Sequence, residues 1–138
     1  EHSELLIVLS AYGLPLGEAF QLRDDMLGIF GDPKETGKPA GDDLREGKRT
    51  VLMAMTMEKA TNSARTELAT HLGNPNLSPE KIESLRALIV ETGAVDDVEK
   101  LIDRLGEEST AAAHSAAIND SARPLLLALA ETAIRRSY

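Results

Sequence analysis

The sequence contains no cysteine and no tryptophan, and its only aromatic residues are Tyr12, Phe20, Phe30 and Tyr138. The first absence excludes a disulfide framework, a thiolate zinc site and a cysteine nucleophile. The scarcity of aromatics removes residues that favour strands. Cations are outnumbered: 15 Lys and Arg stand against 23 Asp and Glu, a formal net charge of −8. A chain of that sign has no field to attract a polyanion, so nucleic-acid binding is not expected. It can still hold a phosphate by recruiting divalent cations. No uninterrupted run of about 18 apolar residues occurs, so no membrane span is expected. The opening EHSELLIVLS lacks an initiator Met, a basic stretch and a cleavage site. It reads as the middle of a helix rather than as a signal peptide, and hence as part of something longer.

What the chain has in abundance is Leu and Ala, 20 and 18 residues. These are the strongest helix formers, so an all-α fold is expected. The 138 residues suit one domain, and 42% apolar with 28% charged residues is a globular composition. Residues 3 to 30 read as one long helix, apolar nearly all round and therefore buried. Pro15 predicts a kink or break near Leu14. Residues 48 to about 72 read as a second helix, with Leu52, Met55, Lys59, Leu68 and Leu72 on one face. Met53, Met55 and Met57 read as core filling. Ser78-Pro79-Glu80 is a strong helix start, with Ile82, Leu85, Leu88 and Ile89 inward and Gly93 at the end. Asp96 or Asp97 caps the next helix, with Val98, Leu101, Ile102 and Leu105 inward, continuing through the Ala-rich 111 to 117. Asn119-Asp120-Ser121 breaks it, and Pro124 starts a last helix ending near Arg135. His71 and His114 have no carboxylate company at ligand spacing and read as structural.

Between the first two helices lies an outlier, GDPKETGKPAGDDLREG at 31 to 47. Its four Gly and two Pro predict a loop, and its length favours a functional one. At 100° per residue, Gln21, Asp24, Asp25 and Gly28 fall on one side of the preceding helix. Two adjacent carboxylates on a largely buried helix are costly unless something neutralises them, and Arg23 points away. A divalent cation fits, because Mg²⁺ takes one or two carboxylates and completes its shell with water and phosphate oxygens. The loop then supplies Lys34, Lys38, Lys48 and Arg49 among glycines whose N–H groups can approach an anion. Carboxylates followed by a Gly-rich cationic loop suggest a metal-plus-diphosphate site.

The string FQLRDDMLGIFGDPKETGKPAGDDLREGKRT resembles the second Asp-rich region of the trans-isoprenyl (polyprenyl) diphosphate synthases. It carries Phe20-Gln21, Asp24-Asp25, Gly31-Asp32, Gly37-Lys38, Gly41-Asp42-Asp43-Leu44 and Lys48 in the family's order. The resemblance implies the C-terminal part of an isoprenoid-synthase-type bundle of antiparallel helices, five or so here, around a central cavity. It implies that residues 1–138 are the C-terminal half of one prenyl synthase domain. It further implies head-to-tail condensation of an allylic diphosphate with isopentenyl diphosphate, geranylgeranyl type favoured, with Mg²⁺. In that reading Asp24 ligates Mg²⁺, Asp25 supports it, and Gln21 faces the substrates. Lys38 and Lys48 contact the allylic diphosphate and Asp43 orients the lysine and metal network. Gly28 departs from the family, which places a third Asp there; Asp32 approaches the same stripe only if the helix persists that far. The basic tail at Arg135 and Arg136 closes over the diphosphate in the family. The full-length protein is expected to be a cytoplasmic homodimer. The family's first Asp-rich motif is not in these residues, so the 138-residue chain is expected to be inactive alone. The alternatives are a synthase of another chain length and a non-catalytic partner subunit.

Overall fold

The computed structural model describes residues 2–135, and every regular element among them is a helix. The order is α1 (His2–Phe30), α2 (Pro33–Thr36), α3 (Asp42–Glu46), α4 (Val51–Lys59), α5 (Asn62–His71), α6 (Pro79–Glu91), α7 (Ala94–Ala113) and α8 (Arg123–Arg135). The expected all-α class holds. The helix count rises from five or so to eight because the presumed loop contains two short helices and the presumed 48–72 helix is two. Arg136 and Tyr138, part of the basic tail, lie outside the described residues.

The chain forms two compact units, one from the residues up to Arg23 with those from Lys100 onward, the other Asp24–Glu99. In the first unit, Tyr12, Ala113 and Ala130 are buried together, with Leu16, Ala112, Leu126 and Leu127 packed on them. Small residues let these helices approach closely: a Cβ on Gly106 would lie 2.7 Å from Ile134 Cδ1. Two directional bonds are set into this apolar packing. The Tyr12 hydroxyl donates to the Leu126 carbonyl at 2.6 Å, and Ser109 Oγ donates to the Tyr12 carbonyl at 2.8 Å. Burial raises the Tyr12 hydroxyl above its ordinary pKa, so it stays a donor.

α1 departs from expectation twice. It runs unbroken through Pro15. Pro15 leaves only the Ala11 carbonyl without its helical partner, and Ala11 is exposed to solvent that can take its place. Nor is the helix buried all round: Leu6, Ile7 and Leu14 are 65%, 70% and 73% exposed. Within its unit only one line of residues, Tyr12, Ala19 and Leu22, is buried. α1 is also the one helix among the described residues long and apolar enough to cross a membrane by length and composition. Counting uninterrupted apolar residues overlooked it because small polar residues dilute the run.

In the second unit, Leu44, Leu52, Leu68, Ile82, Leu85, Ile89 and Val98 are fully buried. The 48–72 segment divides at Ala60 because Thr61 caps a new helix, its side chain accepting from the Ala64 N–H. Such a cap satisfies one of the orphan N–H groups at the start of the new helix. Ser78 caps α6 as predicted, accepting from the Lys81 N–H at 3.1 Å. Of the inward residues named on α6, Ile82, Leu85 and Ile89 are buried and Leu88 is half-buried. Asp96 and Asp97 do not cap α7: it starts at Ala94, whose N–H is taken by Thr92 Oγ1 at 3.2 Å. The two carboxylates fall in the first turn, where the helix dipole favours them, and Asp97 pairs with Lys59. His71 does have a carboxylate beside it, Glu67 at 3.4 Å one helical turn back.

Three Gly positions govern how the 31–47 segment folds. Gly37 ends α2 at φ 71° and donates to the Pro33 carbonyl. Gly47 ends α3 at φ 68°, and a Cβ there would lie 2.9 Å from the Gly73 Cα. Gly73 itself, at φ 85°, donates to the Leu44 carbonyl at 2.9 Å. At both positive-φ ends an L side chain would be strained, so the sequence uses the residue without one. The same Gly and Pro content that predicted a loop therefore delimits two capped helical turns.

Candidate functional site

The last two turns of α1 bring Asp24, Asp25 and Gly28 to one end of the second unit. Asp25 is 3% exposed and Asp24 half-buried. The segment that follows is held locally at each step. Asp32 caps α2, its Oδ1 accepting from the Lys34 N–H at 2.9 Å. α1 stops at Phe30, so Asp32 serves as a cap and does not extend the carboxylate stripe. α3 is fixed through Arg45, which donates to the Ala40 carbonyl at 2.7 Å and to the Leu77 carbonyl at 3.1 Å. This loop cation is thereby consumed by scaffolding. Leu44 is fully buried, and the Lys48 N–H donates to the Asp43 carbonyl at 3.1 Å. Asp43 and Lys48 are thus tied through the backbone as well as by charge.

The side chains converge on Lys48. Its Nζ lies 3.9 Å from Asp24 Oδ2, 3.7 Å from Asp25 Oδ1 and 3.9 Å from Asp43 Oδ2. All three separations exceed hydrogen-bond length, so the ammonium sits among the carboxylates without docking on any one. Three carboxylates against one ammonium leave a formal −2. Asp43 reports the imbalance. Burial pushes its carboxyl above the usual carboxylate range, Lys48 works in the opposite direction, and the neighbouring carboxylates Glu46, Asp25 and Asp24 add to the rise. Asp43 Oδ2 is buried without a hydrogen-bond partner. It lies directly over Gly28, where a Cβ would be 1.9 Å away. A hard divalent cation fits this set: all donors are carboxylate oxygens, and one is buried and unsatisfied.

Asp24, Gly28, Asp43, Lys38 and Lys48 line one cleft, with Thr36 and Asp42 also in its wall. Its cavity volume is about 30 Å³. That is room for an ion or a water rather than a larger group, and two of the lining residues, Lys38 and Lys48, are exposed. Of the residues singled out from the sequence, Asp24, Asp43, Lys38 and Lys48 share this cleft, and Asp25 joins them through Lys48. Gln21 is exposed on α1 and is not among the cleft's lining residues, nor are Lys34 and Arg49. Sequence reasoning missed Asp42 and Glu46, whose oxygens lie with those of Asp43 within 4.8 Å of one another. Their spacing of one helical turn was a usable signal, hidden because the segment was read as a loop.

Comparison with known proteins bears on this arrangement. Residues 2–89, which include the whole cleft, match the polyprenyl synthetase family. The chain belongs to that family. It is 41% identical over 97 residues to a geranylfarnesyl diphosphate synthase of Aeropyrum pernix, covering 70% of this chain and 29% of that one. It is 46% identical over 81 residues to a geranylgeranyl diphosphate synthase of Saccharolobus solfataricus, covering 59% and 24%. Among solved structures it is similar to geranylgeranyl pyrophosphate synthase from Corynebacterium glutamicum, complexed with isoprenyl diphosphate and magnesium. The TM-score is 0.88 and the identity 45%, over 94% of this chain and 37% of that one. The chain thus spans about a quarter to under two-fifths of the length of these synthases.

Proposed function

We propose that this stretch supplies the second Mg²⁺ and diphosphate site of a prenyltransferase that condenses an allylic diphosphate with isopentenyl diphosphate. The observation that carries the reading is the convergence of Asp24, Asp25 and Asp43 on Lys48, with the unsatisfied Asp43 oxygen in the cleft between them. When bound, Mg²⁺ supplies Lewis-acid charge to a departing diphosphate. Asp24 would hold it with support from Asp25, and Asp43 would orient the lysine and metal network. Lys38 and Lys48 stabilise the negative charge that grows on the leaving oxygen as the allylic carbon–oxygen bond breaks. Gln21 faces the substrates, as the family resemblance implies. Positioning accounts for the rest of the rate. Residues 1–138 are a C-terminal part of a single domain, inactive alone, in a parent that works as a cytoplasmic homodimer. The product is of geranylgeranyl type, although relatives of similar identity make geranylfarnesyl diphosphate as well.

Calorimetric titration with farnesyl diphosphate tests the site. The wild-type chain should bind it in Mg²⁺ and lose at least tenfold in affinity without the metal or with Asp24→Ala. Metal-independent binding of equal strength would overturn the reading, and turnover with isopentenyl diphosphate would overturn inactivity alone. Gly28 favours a second reading, a non-catalytic partner subunit lacking a complete acidic motif. Asp43 lying over Gly28 speaks for the first.

A further inference from the structure

α1 ends where its own ladder runs out of donors. The Leu27 carbonyl takes the Gly31 N–H at 2.8 Å, but the residue four beyond Ile29 is Pro33, which has no N–H to give. Ile29 is buried, so its carbonyl needs a partner from the protein. The helix also has no basic residue in its last turn. Both gaps are filled from α6. Arg86 Nε donates to the Ile29 carbonyl at 2.6 Å, which brings a guanidinium cation to the negative end of the helix. Leu85 and Ile89 on either side of it are fully buried and fix α6. Glu83 Oε1 accepts from Arg86 Nη1 at 2.6 Å and sets the guanidinium's rotation. Nη2 is buried and donates to nothing. Among the described residues, Nε is thus the nitrogen of Arg86 that reaches another helix.

The anchor point lies in register with the site. In the α1 ladder the Ile29 N–H bonds back to the Asp25 carbonyl, so the residue that Arg86 grips stands one turn beyond the buried carboxylate, on the same face. We propose that Arg86 is a positioning residue of the metal site: its Nε–H fixes the last turn of α1, and through it the place of Asp24 and Asp25. This rests on the metal-and-diphosphate reading above and deepens it. Neither Arg86 nor Glu83 lines the cleft, so the influence runs through the helix ladder and not through contact with a ligand.

The test is Mn²⁺ binding to the 138-residue chain, read by electron paramagnetic resonance with and without inorganic diphosphate. Each variant is also melted by circular dichroism to establish that it folds. Arg86→Met keeps the stem and removes every donor; it should weaken Mn²⁺ about fivefold, less than the roughly tenfold or more expected for a group bonded directly to a metal ligand. Arg86→Gln puts an uncharged amide nitrogen where Nε stood, and should stay within about twofold of wild type. Leu88→Ala, half-buried on the same helix, should lower the melting temperature and leave Mn²⁺ affinity within about twofold of wild type. That control separates lost positioning from lost stability. Coupling is reciprocal, so Mg²⁺ with diphosphate should slow hydrogen exchange at Arg86 Nε of the wild type by the same factor of about five. The exchange measurement needs no variant and decides even where Arg86→Met fails to fold. Four results would each overturn the proposal while leaving the metal site standing. They are unchanged Mn²⁺ affinity in a folded Arg86→Met, an Arg86→Gln as weak as Arg86→Met, a comparable loss in Leu88→Ala, and Nε exchange indifferent to metal. Wild-type protein that binds no Mn²⁺ under either condition would overturn the functional reading, and the positioning role with it.

Discussion

The two units of this chain spend their side chains differently. The unit from Asp24 to Glu99 takes carboxylates into its interior: Asp25 is buried and Asp43 carries an unsatisfied oxygen. The unit made from the ends of the chain hides mainly apolar and small residues and leaves large ones outside. Of the large apolar side chains that are exposed, Leu6, Ile7, Leu9, Leu14, Phe20, Leu125 and Leu129 belong to it, and only Val51 and Val90 to the other. A polar site depends on directional partners placed within its own neighbourhood. Apolar packing can be satisfied on one face and left bare on another, so the two kinds of interior place different demands on the sequence.

The sharpest way to break this contrast is a matched pair of leucine truncations. Leu44→Ala removes a fully buried side chain from the helix that carries Asp43. It should cost about 3 kcal/mol in urea unfolding and lower metal affinity in parallel. Leu125→Ala, 71% exposed in the other unit, should change stability by less than about 0.5 kcal/mol. A large loss at Leu125 would show that the bare apolar face is covered in solution. The next largest effect probes one polar bond of the apolar unit. Tyr12→Phe deletes the donor to the Leu126 carbonyl and should cost about 1 kcal/mol, with no change in Mn²⁺ binding. A coupled loss of metal affinity would mean that the units are not energetically separate.

The smallest effect is a surface pair in the polar unit. Lys81 Nζ donates to Glu67 Oε1 at 2.5 Å and holds the Glu67 carboxyl below its ordinary value of 4.5. Its contribution is present above the unfolded value and is lost as the pH falls through the lowered folded value. Melting curves of wild type and Lys81→Met should therefore differ slightly at neutral pH and coincide in acid. A difference that grows on acidification would reverse the assignment. Exposure and salt screening keep this effect small.

Much of this was legible in the sequence, and the reasons for the failures are physical. The all-α class followed from composition, and Asp24 with Asp25 followed from helical periodicity, both local properties. The cap at Ser78 was legible because three adjacent residues specify it. The break at Ala60–Thr61 was not, since Thr61 caps without a proline or glycine to mark it. Pro15 was overread because the cost of one missing bond is modest where solvent can reach the orphaned carbonyl. The closeness of Gly28 to Asp43 was out of reach: they lie fifteen residues apart on different helices, and no periodicity joins them. Asp42 and Glu46 were lost for a simpler reason, that glycines flanking a helical turn resemble the glycines of a loop.

The backbone contact between Gly47 and Gly73 has a mechanical meaning. Two chain segments meet there with no side chain between them, so close that a Cβ on Gly47 would lie 2.9 Å from the Gly73 Cα, and a hydrogen bond from Gly73 to Leu44 closes the joint. A joint of that kind has no slack to take up and no bulky residue to swing aside. The exit of the lysine-bearing segment is riveted rather than hinged. The carboxylates and Lys48 are then a fixed anvil, to which an anion must come, rather than a jaw that closes upon it.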